Sequence, residues 1–207
     1  MSIVTYNNRS IANITTVPGA AKSLIHIKTL TASSSSTLSF VDGSSDVVLD
    51  STYPIYLFKF INCHPSTDST FLSFNMSTDG GSNYNVTKTS TFYLAYHLET
   101  NDSDTTLAYS AAEDLAQSTD FQYISTNSKN DDDIGISGTL EIYNPSSTTF
   151  VKHFMARTGG SNRLNYQMDV YSAGYGNTTS AVDAVQFKMS SGTIDSGTIK
   201  LYGIKDS

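Results

Sequence analysis

The stretch Ile55-Tyr56-Leu57-Phe58-Lys59-Phe60-Ile61-Asn62 decides the fold. Aromatic and aliphatic side chains fill it apart from Lys59 and the closing Asn62. A helix this short would be marginal in water, whereas a pleated strand accommodates such side chains well. Apolar residues fall on both faces, so the stretch reads as a central strand buried on two sides.

Shorter runs around it repeat with a period of two. Residues 24–30 (LIHIKTL) set Ile25 and Ile27 against His26 and Lys28, and residues 71–76 gather Leu72, Phe74 and Met76. Residues 150–155 alternate Val151, His153 and Met155 with Phe150, Lys152 and Phe154. Leu164, Tyr166, Met168 and Val170 share a face, as do Val185, Phe187 and Met189, and then Ile199, Leu201 and Gly203. Weaker strand signals lie at 38–41, 47–49, 86–91 and 139–143. Asp42-Gly43, Asp79-Gly80-Gly81 and Gly159-Gly160-Ser161-Asn162 separate the runs, and Asp195-Ser196-Gly197 precedes the last. These residue types tolerate the positive φ of tight loops. About ten short strands with regular turn signals predict an all-β protein, an antiparallel β-sandwich in a jelly-roll-like arrangement.

One segment departs from the pattern. Ser110-Ala111-Ala112-Glu113 fits a capping box, and Asp114, Leu115, Ala116 and Gln117 could extend it, which predicts one short helix packed on a sheet. Residues 99–138 are acidic and irregular and predict long surface loops. Residues 1–20, ending at Pro18-Gly19, read as an extended N-terminal arm. Residues 21–207 read as a single sandwich domain, a size that holds a full apolar core.

Charged residues are 15% of the 207, against roughly 25% in ordinary soluble domains, and Ser and Thr fill more than a quarter of the chain. The net charge of −7 and 12 scattered Lys and Arg argue against nucleic-acid binding, which needs clustered cations. No run reaches the ~18 apolar residues of a membrane helix, and the N-terminus lacks signal-peptide features, so neither membrane insertion nor signal-directed export is expected. Cys63 is the only cysteine, which leaves stability to packing and reads as a small buried hydrophobe.

The catalytic inventory is thin. His26, His64, His97 and His153 show no metal-ligand spacing, and there is no GxSxG elbow, phosphate loop or CxxC. Asp131-Asp132-Asp133 lacks the register and closing Glu of a calcium loop and reads as solvated. Glu113 and Asp114 are adjacent, so they do not face each other as a glycosidase pair would. No catalytic residue, cofactor or metal is therefore expected. Aromatics carry more information: 13 Tyr and 10 Phe with no Trp. The segment 171–177, with Tyr171, Tyr175 and Asn177, is the preferred exposed contact loop, because Tyr beside Asn and Ser suits polar recognition. The competing reading has the Tyr rings covering sheet edges or a subunit interface.

Residues 185–194 (VQFKMSSGTI) followed by 197–204 (GTIKLYGI) resemble the closing hairpin of bacteriophage virion proteins, especially those of phages of marine bacteria and cyanobacteria. Residues 6–13 (YNNRSIAN), 53–56 (YPIY), 114–118 (DLAQS) and 145–154 (PSSTTFVKHF) are similar to the same family, so the resemblance runs along much of the chain. It implies a tail-fibre, spike or capsid-surface protein with a jelly-roll-like domain, commonly trimeric, and no catalytic residues. The short stretch before the first strong strand favours a capsid-decoration or accessory tail role over a long fibre. The expected protein is thus exposed on the virion surface. Its partners would be other virion proteins, copies of itself in a homotrimer, and a host-surface glycan. In the arm, Tyr6, Asn7, Arg9 and Ile11 would dock on a neighbour by strand addition. A carbohydrate-binding module is the alternative, and a glycan-degrading enzyme the more distant one.

Overall fold

Twelve strands run through the residues described by the computed structural model, 24–101 and 103–205. They are β1 (Leu24–Thr31), β2 (Leu38–Val41), β3 (Ile55–Pro65), β4 (Leu72–Ser77), β5 (Lys88–Leu98) and β6 (Thr105–Tyr109). The second half supplies β7 (Gln122–Tyr123), β8 (Ile136–Tyr143), β9 (Lys152–Ser161), β10 (Tyr166–Gly176), β11 (Ala184–Met189) and β12 (Ile194–Ile204). The expected antiparallel β-sandwich forms. An eight-stranded sheet in the order β1-β12-β3-β8-β9-β10-β5-β6 packs against a four-stranded one, β2-β11-β4-β7. The expected arm, with Tyr6, Asn7, Arg9 and Ile11, lies outside the described residues.

Phe187 of the small sheet meets Phe58 at 5.1 Å, Phe60 at 5.3 Å and Phe40 at 6.2 Å, all edge to face. Phe74 meets Phe154 at 5.0 Å in the same way. This geometry suits the ring quadrupoles, with the positive edge of one ring on the negative face of the next. All six rings are buried. They join the sheets where the sequence periodicity places inward faces.

The decisive stretch is a central strand, between β12 and β8, with one face fully in the core and the other only partly covered, Leu57 being buried there. Tyr56, Phe58 and Phe60 enter the core, while Ile61 on the other face is 41% exposed. The small sheet covers one side of the large sheet and leaves the other to solvent or to a partner. In β1 the register shifts between His26 and Lys28, which puts Ile27 and Leu30 on the core despite their odd spacing.

Several local expectations are corrected. No helix forms among the described residues, and 110–117 is a turn at 111–113 followed by a bend at 116–117, where Gln117 takes a φ of +51°. Ser90 N donates to Leu115 O at 2.9 Å, Leu115 N donates to Ser90 Oγ at 2.9 Å, and Lys88 exchanges both backbone bonds with Ser118. The start of β5 in the large sheet thus claims backbone groups that a two-turn helix would have kept for itself. Ser110 Oγ donates to the Glu113 carboxylate, but this side-chain pair is neither of the two side-chain-to-backbone bonds of a capping box, and Ser110 N donates to Phe92 O at 2.9 Å instead. Residues 47–49 are not a strand, although Val47 and Leu49 are buried. Gly159, Gly160 and Ser161 belong to β9, and the turn lies at 162–165. Gly197 sits within β12 at a bulge with φ of +112°, where a Cβ would approach Cys63 Cα to 2.6 Å.

Candidate functional site

β5 and β10 are eleven residues each and pair along their whole length. They carry the large sheet past the edge of the small one, whose last strand, β7, has two residues. The inner face of this overhang holds a second apolar cluster of Phe92, Met168 and Val170, with Leu94, Tyr96 and Tyr166 against it. Loops cover it in place of strands. Ile124 N donates to Leu72 O, Leu72 N to Ser125 Oγ, and Ser128 N to Thr70 O, each at 2.8–2.9 Å. Gln122 Nε2 donates to Glu113 O at 3.0 Å, and Gln122 Oε1 accepts from Ser90 Oγ, which ties the loop to β5.

The cover is incomplete and leaves a pocket of about 350 Å³. Phe92, Leu94, Tyr96 and Met168 form its wall, and Glu113, Asn127 and Asn162 bring polar groups to it. Asn162 is 8% exposed. Its Oδ1 accepts from Leu164 N at 2.9 Å and Tyr166 N at 3.1 Å, which builds the β9–β10 turn and fixes the amide orientation. Glu113 is held by Ser110. A second pocket, of about 390 Å³, lies on the other side of the same loop and is lined by Glu113, Asp114, Asp120 and Lys188.

The opposite face of the overhang carries a different surface. Tyr109, Tyr93, Tyr171 and Arg157 form one cross-strand row over β6, β5, β10 and β9. Tyr93 and Tyr171 stack at 4.9 Å, with their planes 5° apart. The Arg157 guanidinium lies 4.8 Å from the centre of Tyr171 and forms an ion pair with Asp169 at 2.8 Å. That ion pair holds the Arg157 guanidinium above its usual range. Leu107, Tyr109 and Met155 on this face are 73%, 55% and 58% exposed.

Tyr171 and Tyr175, expected in a contact loop, stand in β10, with Asn177 just past its end. Tyr171 has neighbours on both ring faces. Tyr175 tilts against His153, and Asn177 Nδ2 donates to Gln117 Oε1 at 2.7 Å. Asp131 pairs with Lys129, and its carbonyl contacts His64 at 3.1 Å. No three His, Cys, Asp or Glu side chains converge as a metal site among the described residues. The sequence reading passed over Leu107 because β6 lies in the region expected to be loops. It passed over Asn162 because the residue was read only as a turn former. Neither family models, curated proteins nor solved structures give a match to this chain. Fold and site together define a β-sandwich with two candidate contact surfaces.

Proposed function

We propose that this protein is a non-enzymatic structural component exposed on a bacteriophage virion, a capsid-decoration or tail accessory protein that assembles with copies of itself. One observation carries the assembly reading. Leu107, Tyr109, Tyr93 and Met155 present apolar side chains together on the open face of the large sheet. The strip spans four strands, about 14 Å at the usual strand spacing. A contiguous apolar patch rimmed by polar residues is the mark of a protein contact. The Ser- and Thr-rich remainder of the surface and the resemblance to virion proteins support the particle setting.

The Tyr row supports subunit contact better than a sugar-stacking platform. The faces of Tyr171 are occupied by Tyr93 and Arg157, which leaves ring edges outward. Sedimentation equilibrium of the full chain tests the reading, with the Leu107→Glu, Met155→Glu double variant beside it. The expected result is a wild-type trimer, a monomeric variant, and recovery of the wild type alone in purified particles. A monomeric wild type, or particles that never contain the chain, overturns it.

A further inference from the structure

The geometry points to a binding site for a neutral pyranose sugar in the pocket between the overhanging inner face of the large sheet and the loops at 110–128. This goes beyond the assembly reading and uses the opposite face of the same strands. The pocket has the size of a small-ligand site and the composition of one, a mainly apolar wall with a few convergent polar groups.

The polar groups say which ligand. Both backbone N–H groups on Asn162 meet its Oδ1, so its NH₂ is the outward end of the amide. That NH₂ has no partner among the described residues, in a residue that is 8% exposed. It is absent from the sealed unpaired atoms, Ser172 Oγ and Asp183 Oδ1, so it remains open to the pocket that Asn162 lines. A donor open to the pocket can give its hydrogen bond to water or to a ligand acceptor. Asn127 repeats the pattern. Its Oδ1 accepts from Thr126 Oγ1 at 2.9 Å, and its NH₂ is free among the described residues.

Two amide donors and the Glu113 carboxylate then face a wall of Phe92, Leu94 and Tyr96. A pyranose presents C–H groups on a ring face and hydroxyls at its edge. The hydroxyls can accept from the amides and donate to the carboxylate while the C–H face lies on the wall. No Lys, Arg or His lines the pocket, so nothing there compensates an anionic sugar, and Glu113 repels one.

The test is saturation-transfer NMR and titration of the purified full chain. The probes are the methyl glycosides of glucose, galactose, mannose and N-acetylglucosamine, with glucuronic acid as the charged counterpart. At least one neutral glycoside should bind saturably, and glucuronic acid at least tenfold more weakly. Asn162→Asp keeps the Oδ1 that holds the turn and replaces the free donor with an acceptor, so it should weaken binding at least tenfold with melting unchanged. Asn127→Asp applies the same test should the first variant fold poorly. Saturable binding by none of the four glycosides, undiminished binding by the folded variants, or equal binding of glucuronic acid overturns the assignment. The readout needs no particle or trimer, so its failure is separate from failure of the assembly reading.

Discussion

Lys88 and Lys152 lie in one cross-strand row, on either side of Gly176, with both side chains buried. Neither meets a carboxylate among the described residues. Lys152 Nζ donates to the carbonyls of Ser147 and Phe150 at 2.6 and 2.7 Å and of Thr178 at 3.3 Å, drawing two loops together. Lys88 Nζ donates to Asn75 Oδ1 at 2.6 Å and Val86 O at 2.8 Å. Gly176 gives this row room, since a Cβ there would meet Met76 Cε at 2.7 Å and Val86 Cγ1 at 2.9 Å. Burial pushes the Lys88 ammonium down to about 7, against the pull of Asp120 upward.

That depression gives a pH dependence of definite sign. Between pH 7 and the ordinary lysine value of 10.5, unfolded Lys88 holds a proton that the folded residue has released. Stability contributed at this site therefore rises with pH across the window, by up to ~1.4 kcal/mol per unit, and below it the desolvation cost is present in full. Urea denaturation of wild type and Lys88→Met at pH 6, 8 and 9.5 checks this. The wild-type-minus-variant difference should increase with pH, and a flat difference would refute it.

Gly174 and Gly176 should respond unequally to alanine. A Cβ on Gly174 runs into Thr89 O and Ser90 Cα, which are backbone of the neighbouring strand. On Gly176 the close contacts are with side chains, the Met76 methyl, which can turn aside, and Val86 Cγ1, which must give by a few tenths of an ångström. Gly176→Ala should cost ~1–2 kcal/mol and Gly174→Ala ~3 kcal/mol or more, measured by chemical denaturation.

Phe187 and Phe150 form a contrasting pair of equal chemistry. Phe187 is fully buried among the rings of both sheets, and Phe150 is 68% exposed. Phe187→Ala should destabilise by ~3–5 kcal/mol, whereas Phe150→Ala should stay within ~0.5 kcal/mol. Similar melting losses for the two would show that the aromatic cluster does not join the sheets.

Cys63 is fully buried, and burial pushes its thiol up to about 12. The native protein should therefore not react with a thiol reagent at pH 8, and one equivalent should react after unfolding. Rapid modification of the folded chain would contradict this packing.

Much of the sandwich was legible because side-chain alternation follows directly from the pleat. Tyr56, Phe58 and Phe60, and likewise Leu72, Phe74 and Met76, face inward as their spacing predicts. The failures have physical causes. In residues 150–155 burial does not follow polarity: Lys152 is buried on backbone carbonyls on the same face as the core ring Phe154, while Met155 is 58% exposed on the same face as the exposed His153. Hydropathy cannot register an acceptor supplied by a loop distant in sequence. The helix expected at 110–117 was lost to bonds with Ser90 and Lys88, more than twenty residues earlier. Of the candidate sites, Tyr171 was legible as an aromatic but not as one ring in a stack, since Tyr93 lies 78 positions away.

The amino-acid sequence by itself determined that this chain folds as pleated layers joined by tight turns, because those choices rest on near neighbours: side-chain period, backbone φ and turn chemistry. Only the tertiary structure decided that the large sheet outruns the small one, which side of it stays open, and that Asn162 lines a cavity. Strand order and the fate of each polar group depend on contacts between distant segments, and no local spacing encodes them.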